Sequence, residues 1–210
     1  MAEFKLHGFF ESGNAYKVAM MLEMTGVDWE VIPVRFFQGE TREHNWRDKF
    51  NELGEVPVLQ HKEETLSQSG LILDYLAALT GKFGANSPTE QREIWRWILF
   101  DNHKFTGNFA PLRYLCGIAE TGETPVTEFL RQRVRGAWSA ADKHLANRSF
   151  ILGQRPSIAD LSMTGYLFYN DATGIDRSGE FPNIERWVQR VASLPRWQPP
   201  EALLPSVPRT

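Results

Sequence analysis

Two short stretches bring together residue types suited to holding a small extended peptide: Glu55-Val56-Pro57-Val58-Leu59, and then Leu66-Ser67-Gln68-Ser69. A proline that opens a strand cannot donate to the sheet ladder, and a cis bond before it would turn the preceding backbone outward toward an extended ligand. Val56 would then pair main chain to main chain with a bound peptide. Ser69, at the start of a helix, offers a hydroxyl and backbone N–H groups to a carboxylate, and the helix dipole favours negative charge there. Taken singly, each piece has an ordinary reading, because Val-Pro steps occur in many loops and a serine at a helix start is commonly only a cap.

Composition narrows the remaining chemistry. A single cysteine, Cys116, excludes an intramolecular disulfide, a CxxC redox pair and a zinc site built on several thiolates, so any thiol chemistry must borrow its second thiol. His7, His44, His61, His103 and His144 form neither i, i+4 pairs nor an HExxH pattern, and no metal is expected. The formal net charge of -3 leaves no global positive field to gather nucleic acid or an anionic membrane. Arg131, Arg133 and Arg135 cluster in a helical stretch with Glu128 and Asp142 nearby, and are expected to form a solvated face. The N-terminus, MAEFKLHGFF, fits neither a secretory signal nor a transit peptide, and no apolar run reaches spanning length, so the expected compartment is the cytoplasm.

The elements that must position the two stretches can be read from periodicity. Phe4 to Phe9 reads as a strand, and Asn14 to Met24 as a helix with Val18, Met21, Leu22 and Thr25 on one face, closed by Gly26. Trp29 to Arg35 is the second strand, which makes a βαβ unit with parallel strands. A polar helix is expected over Thr41 to Lys49, then strands at Val56 to Gln60 and Thr65 to Ser67 around a turn at His61 to Glu64. The next helix starts near Ser69, with Ile72, Tyr75, Leu76 and Leu79 on its apolar face. This order, βαβαββα, is that of the thioredoxin fold.

Residues 81–88, GKFGANSP, read as a linker, dividing the chain into a thioredoxin-like domain at 1–80 and an all-helical bundle at 89–210. Helices are expected over Pro88 to Cys116, Thr124 to Ala146, Ser157 to Asn170 and Asn183 to Ser193. The first is so apolar across Ile94, Trp95, Trp97, Ile98, Leu99 and Phe100 that most of its circumference should be buried, between domains or subunits, and Gly107 and Pro111 should bend it.

In combination, the Val56-Pro57 step and the Gln68-Ser69 pair, after βαβ and before a helical half, resemble the soluble glutathione transferases. The later pattern is also similar: Phe150-Ile151-Leu152-Gly153 leads into a Ser157-x-x-Asp160 capping box, followed by Phe181-Pro182-Asn183-Ile184, Trp187, Leu194-Pro195 and Trp197. The capping residues are read as structural. The resemblance covers nearly the whole chain. It implies glutathione as co-substrate, with Val56 and Pro57 presenting its cysteinyl main chain a partner and Gln68 and Ser69 holding its γ-glutamyl end.

By the same resemblance the catalytic position is Ser12, in the turn Phe10-Glu11-Ser12-Gly13-Asn14. Glutathione brings its own nucleophile, so the protein's task is to stabilise the thiolate by a hydrogen bond and by the positive end of a helix. Either the Ser12 hydroxyl or the Asn14 amide can donate to the sulfur, as in transferases of bacterial type with a Ser-x-Asn turn; either residue can instead simply cap the helix.

The sequence departs from the family at three places. No cysteine occupies the turn, which disfavours the branches that form a mixed disulfide there; no tyrosine stands over His7 to Phe10, which disfavours the tyrosine-dependent mammalian classes; and Glu55 replaces a basic residue before the Val-Pro step. Gln38 and Lys49 are the remaining candidates for the glycyl carboxylate. A largely apolar electrophile is expected in a cleft between the domains, with Phe9, Phe10, Phe105, Phe109, Tyr114 and Tyr166 as candidate walls. The resemblance also implies a homodimer. Glutathione-dependent reduction of disulfides or peroxides, and a non-catalytic binding module, are the alternatives to conjugation.

Overall fold

A computed structural model describes residues 2–169 and 173–208. The chain divides into one compact unit of Met1–Gly84 with Leu194–Thr210 and another of Ala85–Ser193. The end of the chain therefore belongs with the first unit, and the helical unit stops at Ser193 instead of running on to 210.

The first unit is a four-stranded sheet of order β2-β1-β3-β4. β1 (Phe4–Gly8) pairs in parallel with β2 (Trp29–Pro33) and antiparallel with β3 (Val58–His61), which pairs antiparallel with β4 (Glu64–Ser67). The β3–β4 hairpin turns on Lys62 and Glu63 alone, because His61 and Glu64 are themselves paired. α1 (Gly13–Thr25) crosses from β1 to β2 and ends at Gly26, whose φ of 76° is the left-handed geometry glycine adopts freely.

α1 is buried around almost its whole circumference, not on one face. β1 and the helix that follows β4 cover much of it, and the returning tail adds to that cover. Tyr16 Oη donates to the Gln198 carbonyl at 2.7 Å, and Arg196 reaches the Glu23 carbonyl and carboxylate, both at 2.8 Å. The expected helix over Thr41 to Lys49 is a 3-10 turn, Glu40–Arg42, followed by the short α2 (His44–Lys49), with Glu43 extended between them. Trp46 anchors α2 in a cluster with Val34 and Val58, flanked by Phe50 and Val56. α3 (Ser69–Thr80) buries Ile72, Leu73, Leu76 and Ala77, so its buried stripe is rotated from the expected one and Leu79 is exposed.

The second unit is helical. α4 (Pro88–Phe100) runs through a π-helical turn, Asp101–Phe105, into α5 (Thr106–Arg113) and a second π turn, Tyr114–Ile118. Widened turns thus stand on either side of the segment holding Gly107 and Pro111. A side chain at Gly107 would run into the Asn102 carbonyl. Within this one chain α4 buries Ile94, Trp97 and Ile98 along a single face, while Leu99 stays 63% exposed.

α6 (Pro125–Leu145), α7 (Ile158–Thr164), the short α8 (Arg177–Glu180) and α9 (Pro182–Ala192) complete this unit; α10 (Pro200–Leu203) lies in the tail. The expected arginine face on α6 is only partly solvated. Arg131 is 7% exposed, donating from Nε to the Thr173 carbonyl at 2.9 Å and pairing with Glu123 and Glu128 at 2.9 Å each. Arg135 pairs with Glu180 at 2.6 Å, and only Arg133 stands open to solvent. The Ser157-x-x-Asp160 capping box is present, and Asp160 also holds the Ile151 N–H and the Trp187 indole, each at 2.8 Å. Among the described residues no helix is long and apolar enough to cross a membrane.

Candidate functional site

Sheet register decides which candidate residues share a neighbourhood. His7 of β1 stands opposite Val58 of β3, and Val58 opposite Ser67 of β4, in one row across the sheet. Gly8 and Pro33 are the paired last residues of β1 and β2. The β1–α1 turn with Ser12, the approach to β3 with Val56 and Pro57, the β4–α3 junction with Gln68 and Ser69, and the segment after β2 with Gln38 therefore all leave the sheet at the same end. Ligands of open α/β sheets bind at such a convergence of loops.

Ser12 is the N-cap of α1. Its Oγ accepts the Ala15 N–H at 3.1 Å, its N–H donates to the Phe9 carbonyl at 3.1 Å, and the residue is 8% exposed. Capping and thiolate stabilisation are compatible, because the cap uses a lone pair while the hydroxyl proton has no acceptor among the described residues. Asn14 is half-buried at the second position of the helix. The turn is held from the tail: the Phe10 N–H donates to the Pro205 carbonyl at 2.9 Å.

The Val56–Pro57 peptide is cis. Since β3 begins at Val58, the Val56 N–H and C=O lie outside the ladder and take no partner among the described residues. Gln68, exposed, has φ 69° and ψ 108°, an uncommon backbone conformation for a residue with a Cβ, and such outliers cluster at ligand clamps. Its Nε2 donates to Glu55 Oε2 at 2.8 Å. Ser69 follows as the first residue of α3, 6% exposed. The first hydrogen bond of α3 runs from the Ile72 N–H to the Gln68 carbonyl, so the amides of 69–71 have no partner within the helix and suit an anion.

The remaining candidates differ in exposure. Gln38 and Lys49 are exposed, Lys49 with Nζ 5.0 Å from the Phe50 ring centroid. Phe9 is buried and stacks on Phe36 at 5.0 Å; Phe10 is half-buried. In the second unit, Phe105 and Phe109 are buried against Trp138 with centroids 5.9 and 5.0 Å away, and Tyr166 is buried beside Tyr169. Those three rings belong to their unit's core, and Tyr114, 48% exposed, is the one open candidate there. Phe36 and Phe37, half-buried over Phe9, were missed by sequence reasoning, as was Asn51. The Asn51 amide donates to the Glu55 carbonyl at 3.1 Å and accepts the Leu53 N–H at 3.1 Å, which shapes the loop before Val56. Among the described residues no group of three or more His, Cys, Asp and Glu side chains could hold a metal ion.

Residues 2–78 match the glutathione S-transferase N-terminal domain, and residues 108–195 match the glutathione S-transferase C-terminal domain. The chain belongs to the glutathione S-transferase family. Glutathione S-transferase 3 of Zea mays is 26% identical over 220 residues, covering 99% of this chain and 97% of that protein. Elongation factor 1-gamma of Prunus avium is 27% identical over 198 residues, covering 92% of this chain but only 46% of its own length, so the chain spans about half of that relative. The crystal structure of a glutathione S-transferase from Pseudomonas fluorescens superposes with a TM-score of 0.89 at 28% identity, covering 95% of this chain and 100% of that one.

His7 shares the sheet row of Val58 and Ser67. Its Nε2 pairs with Gln60 Oε1 at 2.8 Å, its Nδ1 is buried without a partner, and its ring packs on Trp46 and Phe50. Burial holds the His7 imidazole below its ordinary value, and burial does the same to His144. The fold thus favours the neutral form of each. As pH falls below about 6.5, the unfolded chain takes up these protons first and the fold loses stability. Urea midpoints should therefore drop between about pH 7 and pH 5, and His7→Phe should flatten that decline. An unchanged slope would remove His7 from the account.

Proposed function

We propose that this protein is a cytoplasmic glutathione transferase of the bacterial Ser-x-Asn type, using the glutathione thiol to attack a small, largely apolar electrophile without a metal. The observation that carries this reading is the convergence at one sheet end of a capping serine with a free proton, an unpaired Val56 main chain, and the open amides of α3 beside Ser69. Each answers a separate part of glutathione. Val56 pairs with the cysteinyl main chain, the α3 N-terminus and Ser69 take the γ-glutamyl carboxylate, and Ser12 donates to the thiolate. The α1 N-terminus adds a positive potential that favours the ionised sulfur. Gln38 and Lys49 are proposed for the glycyl carboxylate. Phe10, Phe36 and Phe37 offer an aromatic surface in the first unit.

Reduction of glutathione-linked disulfides or peroxides would begin from the same thiolate. It needs no protein thiol, and the chain's single cysteine, Cys116, is half-buried in the second unit. The likeness to proteins named for translation elongation favours a third reading, a glutathione-transferase-like binding module. A homodimer is part of the proposal; each unit exposes leucines, Leu53, Leu71 and Leu79 in the first and Leu99 in the second, and a second copy could cover those of either one.

Calorimetry with glutathione, followed by turnover of chlorodinitrobenzene and of a glutathione-linked disulfide, separates these readings. Binding with turnover of the first substrate is the expected result, and turnover of the disulfide alone would make the protein a reductase. Cys116→Ser should leave either activity intact. Absence of glutathione binding would leave the module.

A further inference from the structure

We infer that Glu55 is a specificity residue that reads the ammonium group of the γ-glutamyl end, and so completes recognition of an α-amino-acid head; this rests on the glutathione reading above. An amino-acid head presents a carboxylate and an ammonium close together, and the two need receptors of opposite sign. The open amides at the start of α3 and the Ser69 hydroxyl supply the positive receptor. Gln68 is neutral and cannot supply the negative one.

The structure places a carboxylate beside Gln68. Glu55 Oε2 accepts from Gln68 Nε2 at 2.8 Å, from the exposed loop that leads into the cis Val56–Pro57 step. That bond fixes which end of the Gln68 amide faces Glu55, leaving Gln68 Oε1 and the second Glu55 oxygen as acceptors. An ammonium brings three donors and no acceptor, which matches such a set. Glu55 pairs with no cation among the described residues, so its charge is not already neutralised. The loop is set by Asn51, which donates to the Glu55 carbonyl, and Gln68 is set by its left-handed backbone. The same charge makes Glu55 unsuited to the glycyl carboxylate, the role that a basic residue here would suit.

The test compares glutathione with glutaryl-cysteinyl-glycine, the analogue without the amino group, by calorimetry on the full-length protein and its Glu55→Gln variant. Gln keeps the shape and removes the charge, and the exposed position keeps the fold safe. Wild type should bind glutathione about tenfold more tightly than the analogue, in line with a charge-assisted hydrogen bond. Glu55→Gln should lose most of that preference, raise KM for glutathione and leave kcat nearly unchanged. A variant that weakens both ligands equally would make Glu55 only a prop for Gln68 and overturn the inference, as would one that weakens neither. Wild type binding neither ligand would instead overturn the glutathione reading on which it stands.

Discussion

Ser12→Ala is expected to lower kcat/KM for conjugation by roughly 10- to 100-fold, the loss of a hydrogen bond to a charged group worth about 1.5–3 kcal/mol. The loss should fall on kcat, with glutathione affinity changed modestly, because Val56, Gln68 and Ser69 are untouched. Ultraviolet titration of the bound thiol should show its pKa rising in the variant. Ser12 also caps α1 through the Ala15 N–H, so alanine removes a cap worth about 1 kcal/mol along with the donor. Ser12→Gly separates the two effects, since glycine costs only a few tenths of a kcal/mol as a cap yet has no hydroxyl. Glycine and alanine variants equally slow would identify the donor as the cause. Turnover unchanged in both would transfer the role to Asn14 or to the helix N-terminus.

Asp160→Ala should be the most damaging substitution for stability. The Asp160 carboxylate is fully buried and accepts from the Ile151 N–H, the Ser157 N–H and the Trp187 indole at 2.8 Å each, and from Ser157 Oγ at 2.9 Å. Alanine strands several buried donors at once. Stranded buried donors cost about 1–3 kcal/mol each, and relaxation returns part of this, leaving roughly 3–5 kcal/mol. For a chain of this size that corresponds to a melting temperature lower by about 10 °C or more. Asp160→Asn keeps one acceptor oxygen and should lose less. A shift for alanine below about 1 kcal/mol in urea unfolding would show that the network carries little of the fold's stability.

Local signals made the order βαβαββα readable. Apolar alternation, Gly26 after the first helix and the Ser-x-x-Asp box each act within a few residues of chain. Val56-Pro57 and Gln68-Ser69 were visible for the same reason. What the sequence hid depends on contacts between distant residues. Nothing local tells that Arg131 turns inward to the Thr173 carbonyl, because the charged pattern of α6 looks solvated until the loop carrying Thr173 is in place. The Glu55–Gln68 bond, the placement of Phe36 and Phe37 over Phe9, and the role of Asn51 likewise follow from strand register and loop shape. Ring type at helical spacing also fails to separate core from surface, which is why Phe105, Phe109 and Tyr166 prove to be core rings.

The return of the tail to the first unit makes that unit discontinuous in sequence. During synthesis the chain emerges from the ribosome N-terminus first, at about 5–20 residues per second. The sheet, α1 and α3 are therefore all outside the tunnel before the residues that cover α1 have been translated. Until Gln198 and Pro205 arrive, Tyr16 Oη and the Phe10 N–H lack the carbonyls they bond in the finished protein. The turn bearing Ser12 thus gains this backbone anchor only at the end of translation, and a ribosome that stalls in the helical half displays a sheet whose first turn is not yet tied down.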